Sequence, residues 1–142
     1  KKVQSFTEKL RKHFSIPLEF RDERLTTVSA RRLMKEAKKT IYVATYEISD
    51  DVTGNETTEL LLAKKKQGVD IKFMTDDKMA HVFGAKNLKR LAKAGIDVLR
   101  YRESGRKHDY LHIKMMIVDG RYAVIGGMNF GDPYSNKGSG LK

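Results

Sequence analysis

A mixed α/β architecture, one sheet flanked by helices, is what this 142-residue sequence predicts. Three observations carry the prediction. Short β-branched and aromatic runs, such as Ile41–Ile48 (IYVATYEI) and Val69–Met74 (VDIKFM), read as buried strands. Segments of helical periodicity closed by glycine lie between such runs. Near the C-terminus, Asp119-Gly120 separates two further strands, a strong hairpin signal. Strands spaced by helices imply a sheet with helices on its faces, and the hairpin adds antiparallel pairing.

The elements follow in order. Residues 1–23 form a basic N-terminal arm, either an amphipathic helix from Val3 to Phe14 that ends near Pro17 or the remnant of a preceding region. The domain proper is 24–142. Leu25, Val28, Leu33, Met34 and Ala37 make an approximate helical stripe ahead of the Ile41–Ile48 strand. A polar loop, Ser49 to Asn55, leads to a helix from Glu56 to Gln67, with Gly68 just past its end. After the Val69–Met74 strand, Leu88, Leu91 and Ala92 mark a short helix closed by Gly95, and Ile96–Tyr101 is the next strand. A turn-rich basic segment, Arg102 to Asp109, precedes strands His112–Val118 and Tyr122–Ile125. There is no internal repeat.

Composition narrows the chemistry. The length suits one domain with a real core, and 39% hydrophobic residues exclude wholesale disorder. The absence of cysteine excludes a disulfide scaffold, a thiolate metal site and a cysteine nucleophile. No apolar run approaches the roughly 20 residues of a membrane-spanning helix. The chain begins at Lys1, so a processed or cut N-terminus is expected. The net charge of +11 points to an anionic partner: nucleic acid, an acidic membrane surface or a phosphate-bearing substrate. The alternative is a merely solvated basic surface. The excess is concentrated, because residues 1–39 hold 12 Lys and Arg against 5 Asp and Glu.

The chemistry-bearing stretch runs from His112 to Asn129 (HIKMMIVDGRYAVIGGMN). On a strand, His112 and Lys114 project from one face. An imidazole beside an ammonium suits a phosphate, one attacking phosphorus or moving a proton, the other neutralising the non-bridging oxygens. Gly126, Gly127 and Asn129 return along the hairpin. The glycines allow close backbone approach, and the Asn amide adds a neutral donor. Asp119 has the opposite strand parity, so its carboxylate is expected to fix the turn. His108 is a candidate accessory residue; His13 and His81 are read as exposed.

His112, Lys114, Asp119, Gly126, Gly127 and Asn129 together match H-x-K-(x)4-D-(x)6-G-G-x-N, and in this the sequence resembles the phospholipase D superfamily. Six fixed positions recur by chance on the order of once in 10^8 starting points. The likeness extends over about residues 24–136. It implies a phospholipase D-like fold and a mechanism without metal or cofactor. In that mechanism one motif histidine forms a covalent phosphohistidine, and a second motif copy supplies the acid. By this resemblance His112, Lys114 and Asp119 are the catalytic set: His112 is the nucleophile or acid-base partner, and Asp119 supports the motif. Lys114, Asn129 and Gly127 bind the substrate phosphate.

With one motif copy, the chain is expected to be half of a two-motif catalytic unit. The partner half would come from a missing C-terminal region or from a homodimer partner. The chain ends soon after the motif, so the last strand of the family pattern is expected to be cut off, and with it the carboxylate that often orients the motif histidine. GGMNFGDPYS resembles the first motif copy of two-copy bacterial lipid enzymes such as the cardiolipin-synthase-like transferases. This favours an anionic phospholipid or membrane surface as partner and a peripheral membrane or exported bacterial protein. The alternatives are a homodimeric endonuclease acting on nucleic acid and a non-catalytic phosphate-binding module.

Overall fold

The computed structural model describes residues 26–101 and 110–135, together with Glu8. The expectations for the rest of the N-terminal arm, for Arg102–Asp109 with His108, and for the tail beyond Ser135 lie outside the described residues. Helix α1 (Thr26–Glu36) leads into strand β1 (Thr40–Thr45). Helix α2 (Val52–Lys66) and strand β2 (Asp70–Asp76) follow. Two short helices, α3 (Asp77–Phe83) and α4 (Ala85–Lys93), precede β3 (Asp97–Tyr101). Strands β4 (Met115–Val118) and β5 (Tyr122–Ile125) and a 3-10 turn, Asp132–Tyr134, complete the order.

The five strands form one sheet in the order β3-β2-β1-β4-β5. Strands β1, β2 and β3 are mutually parallel, whereas β4 runs antiparallel to both β1 and β5. Burial alternates with the two-residue period of a strand. Ile41 and Val43 of β1, Ile71 and Phe73 of β2, and Met116 and Val118 of β4 are buried. They join Met34 of α1, Leu61 of α2, Ala80 of α3 and Leu88 and Leu91 of α4 in one core. Each large apolar side chain fully withdrawn from water contributes about 1.5–3 kcal/mol. Tyr42, Met74, Leu99, Met115 and Ile117 of the opposite face line a cavity of about 290 Å³.

Side-chain caps set several boundaries that differ from expectation. Helix α2 starts at Val52, four residues before the expected Glu56, because the Asp51 carboxylate accepts the Gly54 N–H at 2.9 Å. Helix α3 has no counterpart in the sequence pattern: it has only seven residues and is capped by Asp76, whose Oδ1 accepts the Met79 N–H at 3.1 Å. Strand β4 begins at Met115 instead of His112. The His112 N–H turns back to the Tyr110 carbonyl (3.0 Å), a three-residue turn incompatible with a strand. Strand β1 stops at Thr45, and Ile48 makes only an isolated bridge with Phe130.

The β4–β5 turn follows the Asp-Gly expectation. Asp119 (φ 54°) and Gly120 (φ 61°) are both left-handed, and the Arg121 N–H closes the turn on the Val118 carbonyl at 3.0 Å. The segment after β1 is gripped closely. Asp50 accepts the N–H groups of Lys86 and Asn87 in the first turn of α4, both at 2.9 Å. A Cβ added at Gly54 would stand 1.8 Å from the Ser49 carbonyl oxygen, and one at Gly84 would stand 2.0 Å from that of Ile48. Two chain segments therefore close on Ile48–Ser49 at distances that leave no room for a side chain.

Candidate active site

From β1 the chain moves outward through β2 and β3, then returns to the other side of β1 as β4. In open α/β sheets, ligands bind beyond the strand carboxyl ends next to such a reversal. The residues after β1 (Tyr46–Ser49) lie at this end, as do those entering the antiparallel β4 (Tyr110–Lys114) and those leaving β5 (Gly126–Phe130). The β4–β5 ladder continues to the Lys114 carbonyl, which accepts the Gly126 N–H at 3.1 Å. Ser49 N–H donates to the Phe130 carbonyl (2.9 Å) and Phe130 N–H to that of Glu47 (3.4 Å), which stitches the Asn129 segment to the end of β1.

Four of the expected site residues come together here. Lys114 is buried and His112 is exposed at the rim. The Lys114 Nζ donates a long bond, 3.4 Å, to the His112 carbonyl. Asn129 is buried, and its Oδ1 has no donor partner among the described residues. Lys114, Gly126 and Asn129 line a small cavity of about 30 Å³, enough for one water. Gly127, between the lining residues Gly126 and Met128, is exposed. Asp119 does not join the group. It lies beyond the far end of β4, where its carboxylate accepts the N–H groups of Lys38 (3.0 Å), Lys39 (2.7 Å) and Thr40 (2.9 Å). These bonds hold its pKa below the ordinary carboxylate value, the Thr40 N–H contributing most.

Three further residues belong to the site. Tyr46, directly after β1, packs its ring against the His112 ring at 4.8 Å between centroids and 62° between planes. The Lys114 Nζ stands over the same ring, 5.1 Å from its centroid. Glu47 is buried beside Ser49, whose Oγ donates to its Oε1 at 3.2 Å. Asp76 is buried at the end of β2, and its Oδ2 accepts the Leu111 N–H at 3.1 Å, one residue before His112. The signal that finds them is positional: each stands at or just past the carboxyl end of a parallel strand.

Burial dominates the electrostatics. It lowers the Lys114 pKa from the ordinary lysine value, with the Glu47 charge opposing. It raises the Glu47 pKa, with the Ser49 hydroxyl and Lys114 opposing. It also raises the Tyr46 pKa, reinforced by the Asp76 charge, so the phenol stays protonated. Among the described residues no three His, Asp or Glu side chains cluster closely enough to hold a metal ion. No helix among them is long and apolar enough to cross a membrane.

Comparison with known proteins gives this geometry a setting. A family model described as cardiolipin synthase, phospholipase D-like domain, matches residues 30–137. A Holliday junction resolvase model matches residues 1–53, less than half of the chain. Cardiolipin synthase A of Pseudomonas syringae pv. syringae is 34% identical over 107 residues, covering 71% of this chain and 22% of that protein. Cardiolipin synthase 2 of Bacillus anthracis is 31% identical over 110 residues, covering 73% of this chain and 21% of its own length. The chain thus spans about a fifth of the length of the curated relatives it matches. Two solved structures share the fold. Nuc from Salmonella typhimurium, a phospholipase D family member, has a TM-score of 0.64 and 23% identity, covering 78% of this chain and 68% of its own. NucT from Helicobacter pylori has a TM-score of 0.67 and 15% identity, covering 80% and 73%.

Proposed function

Because the chain belongs to the phospholipase D-like domain family of the cardiolipin synthases, we propose that it forms one half of a site that cleaves and transfers a phospholipid phosphodiester. The observation that carries this reading is the pairing of buried Lys114 and buried Asn129 around one cavity, with His112 exposed beside them. In this reading Lys114 and Asn129 hold the phosphate and His112 is the nucleophile beside them.

An imidazole nitrogen of His112 attacks phosphorus, and the bond from phosphorus to the leaving alcohol oxygen breaks. The Lys114 ammonium and the Asn129 amide stabilise the charge gathering on the non-bridging oxygens. A second histidine protonates the leaving oxygen. It is supplied by another H-x-K half, either elsewhere in the whole protein or on a second copy. An incoming alcohol, or water, then loses its proton to that second histidine, attacks phosphorus and breaks the P–N bond, which restores His112. Asp119 takes no part in these steps. It anchors the β4–β5 turn to the entry of β1 and so fixes the register of the strand that carries the site.

The test compares phosphatidylglycerol vesicles with single-stranded DNA as substrates of the full-length protein in EDTA, with acid-labile phosphohistidine trapped in parallel. Phosphatidyl transfer or release, with label on His112, is expected, and His112→Ala lowers turnover by on the order of 10^3-fold or more. Turnover of DNA alone would replace the lipid reading by the nuclease one. A fully active His112→Ala would end both.

A further inference from the structure

Tyr46 is absent from the recognised motif, yet it touches both of the motif's chemistry-bearing residues. The Lys114 Nζ is 5.1 Å from its ring centroid, and the His112 ring is 4.8 Å away in an edge-on arrangement. The Tyr110 ring meets it edge-on at 6.3 Å. We propose that Tyr46 is a positioning residue, whose ring holds the Lys114 ammonium and the His112 imidazole in one geometry while consuming almost none of their hydrogen-bonding capacity. The proposal rests on the reading of His112 and Lys114 as the phosphodiester-acting pair.

A lysine ammonium has three N–H groups, and a phosphate cradle needs them. A carboxylate at ion-pair distance would hold the ammonium firmly but would take donors and cancel charge. Among the described residues no carboxylate lies within 4 Å of Lys114 Nζ, and its hydrogen bond to the His112 carbonyl is long. The negative face of an aromatic ring attracts a cation without occupying it as an acceptor oxygen would. The same ring presses on the imidazole and limits its rotation, while no described side chain hydrogen-bonds the imidazole nitrogens. Burial works against the charged form of Lys114, so an attraction for the ammonium form also keeps the cradle charged at working pH. The other titratable groups facing the Tyr46 ring are Asp76 from β2, Tyr110 from the segment before β4, Tyr134 from the 3-10 turn, and Glu47 from the segment after β1, which also faces Lys114.

The deciding experiment varies the ring's charge at constant shape in the full-length protein. Position 46 is replaced by phenylalanine and then by mono-, di- and trifluorinated phenylalanine, with kcat, KM and the pH profile of kcat/KM measured for each. Tyr46→Phe is expected to retain kcat within about threefold. Each fluorine drains the ring face, so the alkaline limb moves stepwise to lower pH, and the trifluoro ring lowers kcat/KM about tenfold, a loss carried by kcat more than KM. Tyr46→Leu removes the ring and is expected to cost about 10- to 100-fold in kcat. If that variant does not fold, the fluorinated series decides alone. An alkaline limb and a kcat that ignore fluorine number overturn the proposal. His112→Ala separates the two claims: an inactive His112→Ala beside a flat fluorine series leaves the phosphohistidine reading standing and removes Tyr46 from it, whereas an active His112→Ala removes both.

Discussion

Replacing Asp76 by alanine should loosen the site from beneath without touching any residue of the motif. Its carboxylate has two tasks on two oxygens. Oδ1 caps α3 through the Met79 N–H at 3.1 Å, and Oδ2 holds the Leu111 N–H at 3.1 Å. Loss of an N-cap acceptor costs about 1 kcal/mol. Leu111 is only 7% exposed, so its N–H is left without water as a substitute, a further penalty of about 1–3 kcal/mol. The sum is about 2–4 kcal/mol, or about 6–12 °C in Tm at roughly 3 °C per kcal/mol for a chain of this size. Urea unfolding at unchanged slope and hydrogen exchange at Leu111 measure it, and activity should fall as the His112 segment gains freedom. Asp76→Asn keeps one acceptor and should lose about half as much. A loss below about 0.5 kcal/mol for Asp76→Ala, with Leu111 still protected, would refute the claim that this carboxylate holds the His112 segment in place.

Further expectations concern packing and pH. Gly54→Ala drives a Cβ to 1.8 Å from a backbone oxygen and should cost about 3 kcal/mol or more. Gly68→Ala, with nothing within 4 Å of the new Cβ but φ at +87°, should cost only about 1–2 kcal/mol; denaturant titration compares the two. Asp119 contributes stability above the ordinary carboxylate pKa of about 3.9, and this is lost as pH falls through its depressed folded value. The deficit of Asp119→Asn, read by thermal melting, should therefore be full at pH 7 and shrink in acid. In the proposed site Lys114 acts as an ammonium, and burial makes it lose its proton below the ordinary lysine value of about 10.4. The alkaline limb of kcat/KM should lie correspondingly low and disappear in Lys114→Arg, whatever activity that variant keeps.

Periodicity located the strands because their burial alternates: Ile41 and Val43 face the core while Tyr42 faces away. The family likeness and the Asp-Gly turn were equally legible, since both are written in contiguous residues. What escaped was set by contacts distant in sequence. Asp76 reaches Leu111 across 35 positions and Asp119 reaches Thr40 across 79. Helix α3 escaped because seven residues are too few to show a period, and its cap is an aspartate that also reads as the end of a strand. The even spacing of His112 and Lys114 suggested a common face, but the turn at Tyr110–His112 leaves one exposed and the other buried. Tyr46 and Glu47 sit inside a run whose composition reads as strand to Ile48, whereas they are the first residues beyond β1.

The crowding around Ile48–Ser49 bears on how the gene could be cut and rejoined. Gly54, Gly84 and Gly131 arrive there from three separate parts of the chain, the last leaving 2.7 Å between a would-be Cβ and the Ser49 Oγ. An insertion near that junction would separate all three at once, so a split reporter or a circular permutant opened there should not reassemble. Gly68 and Gly120, each with open space around it, are where new termini belong, and a library of permutants scored for folding should be populated at those two turns and empty between 46 and 54.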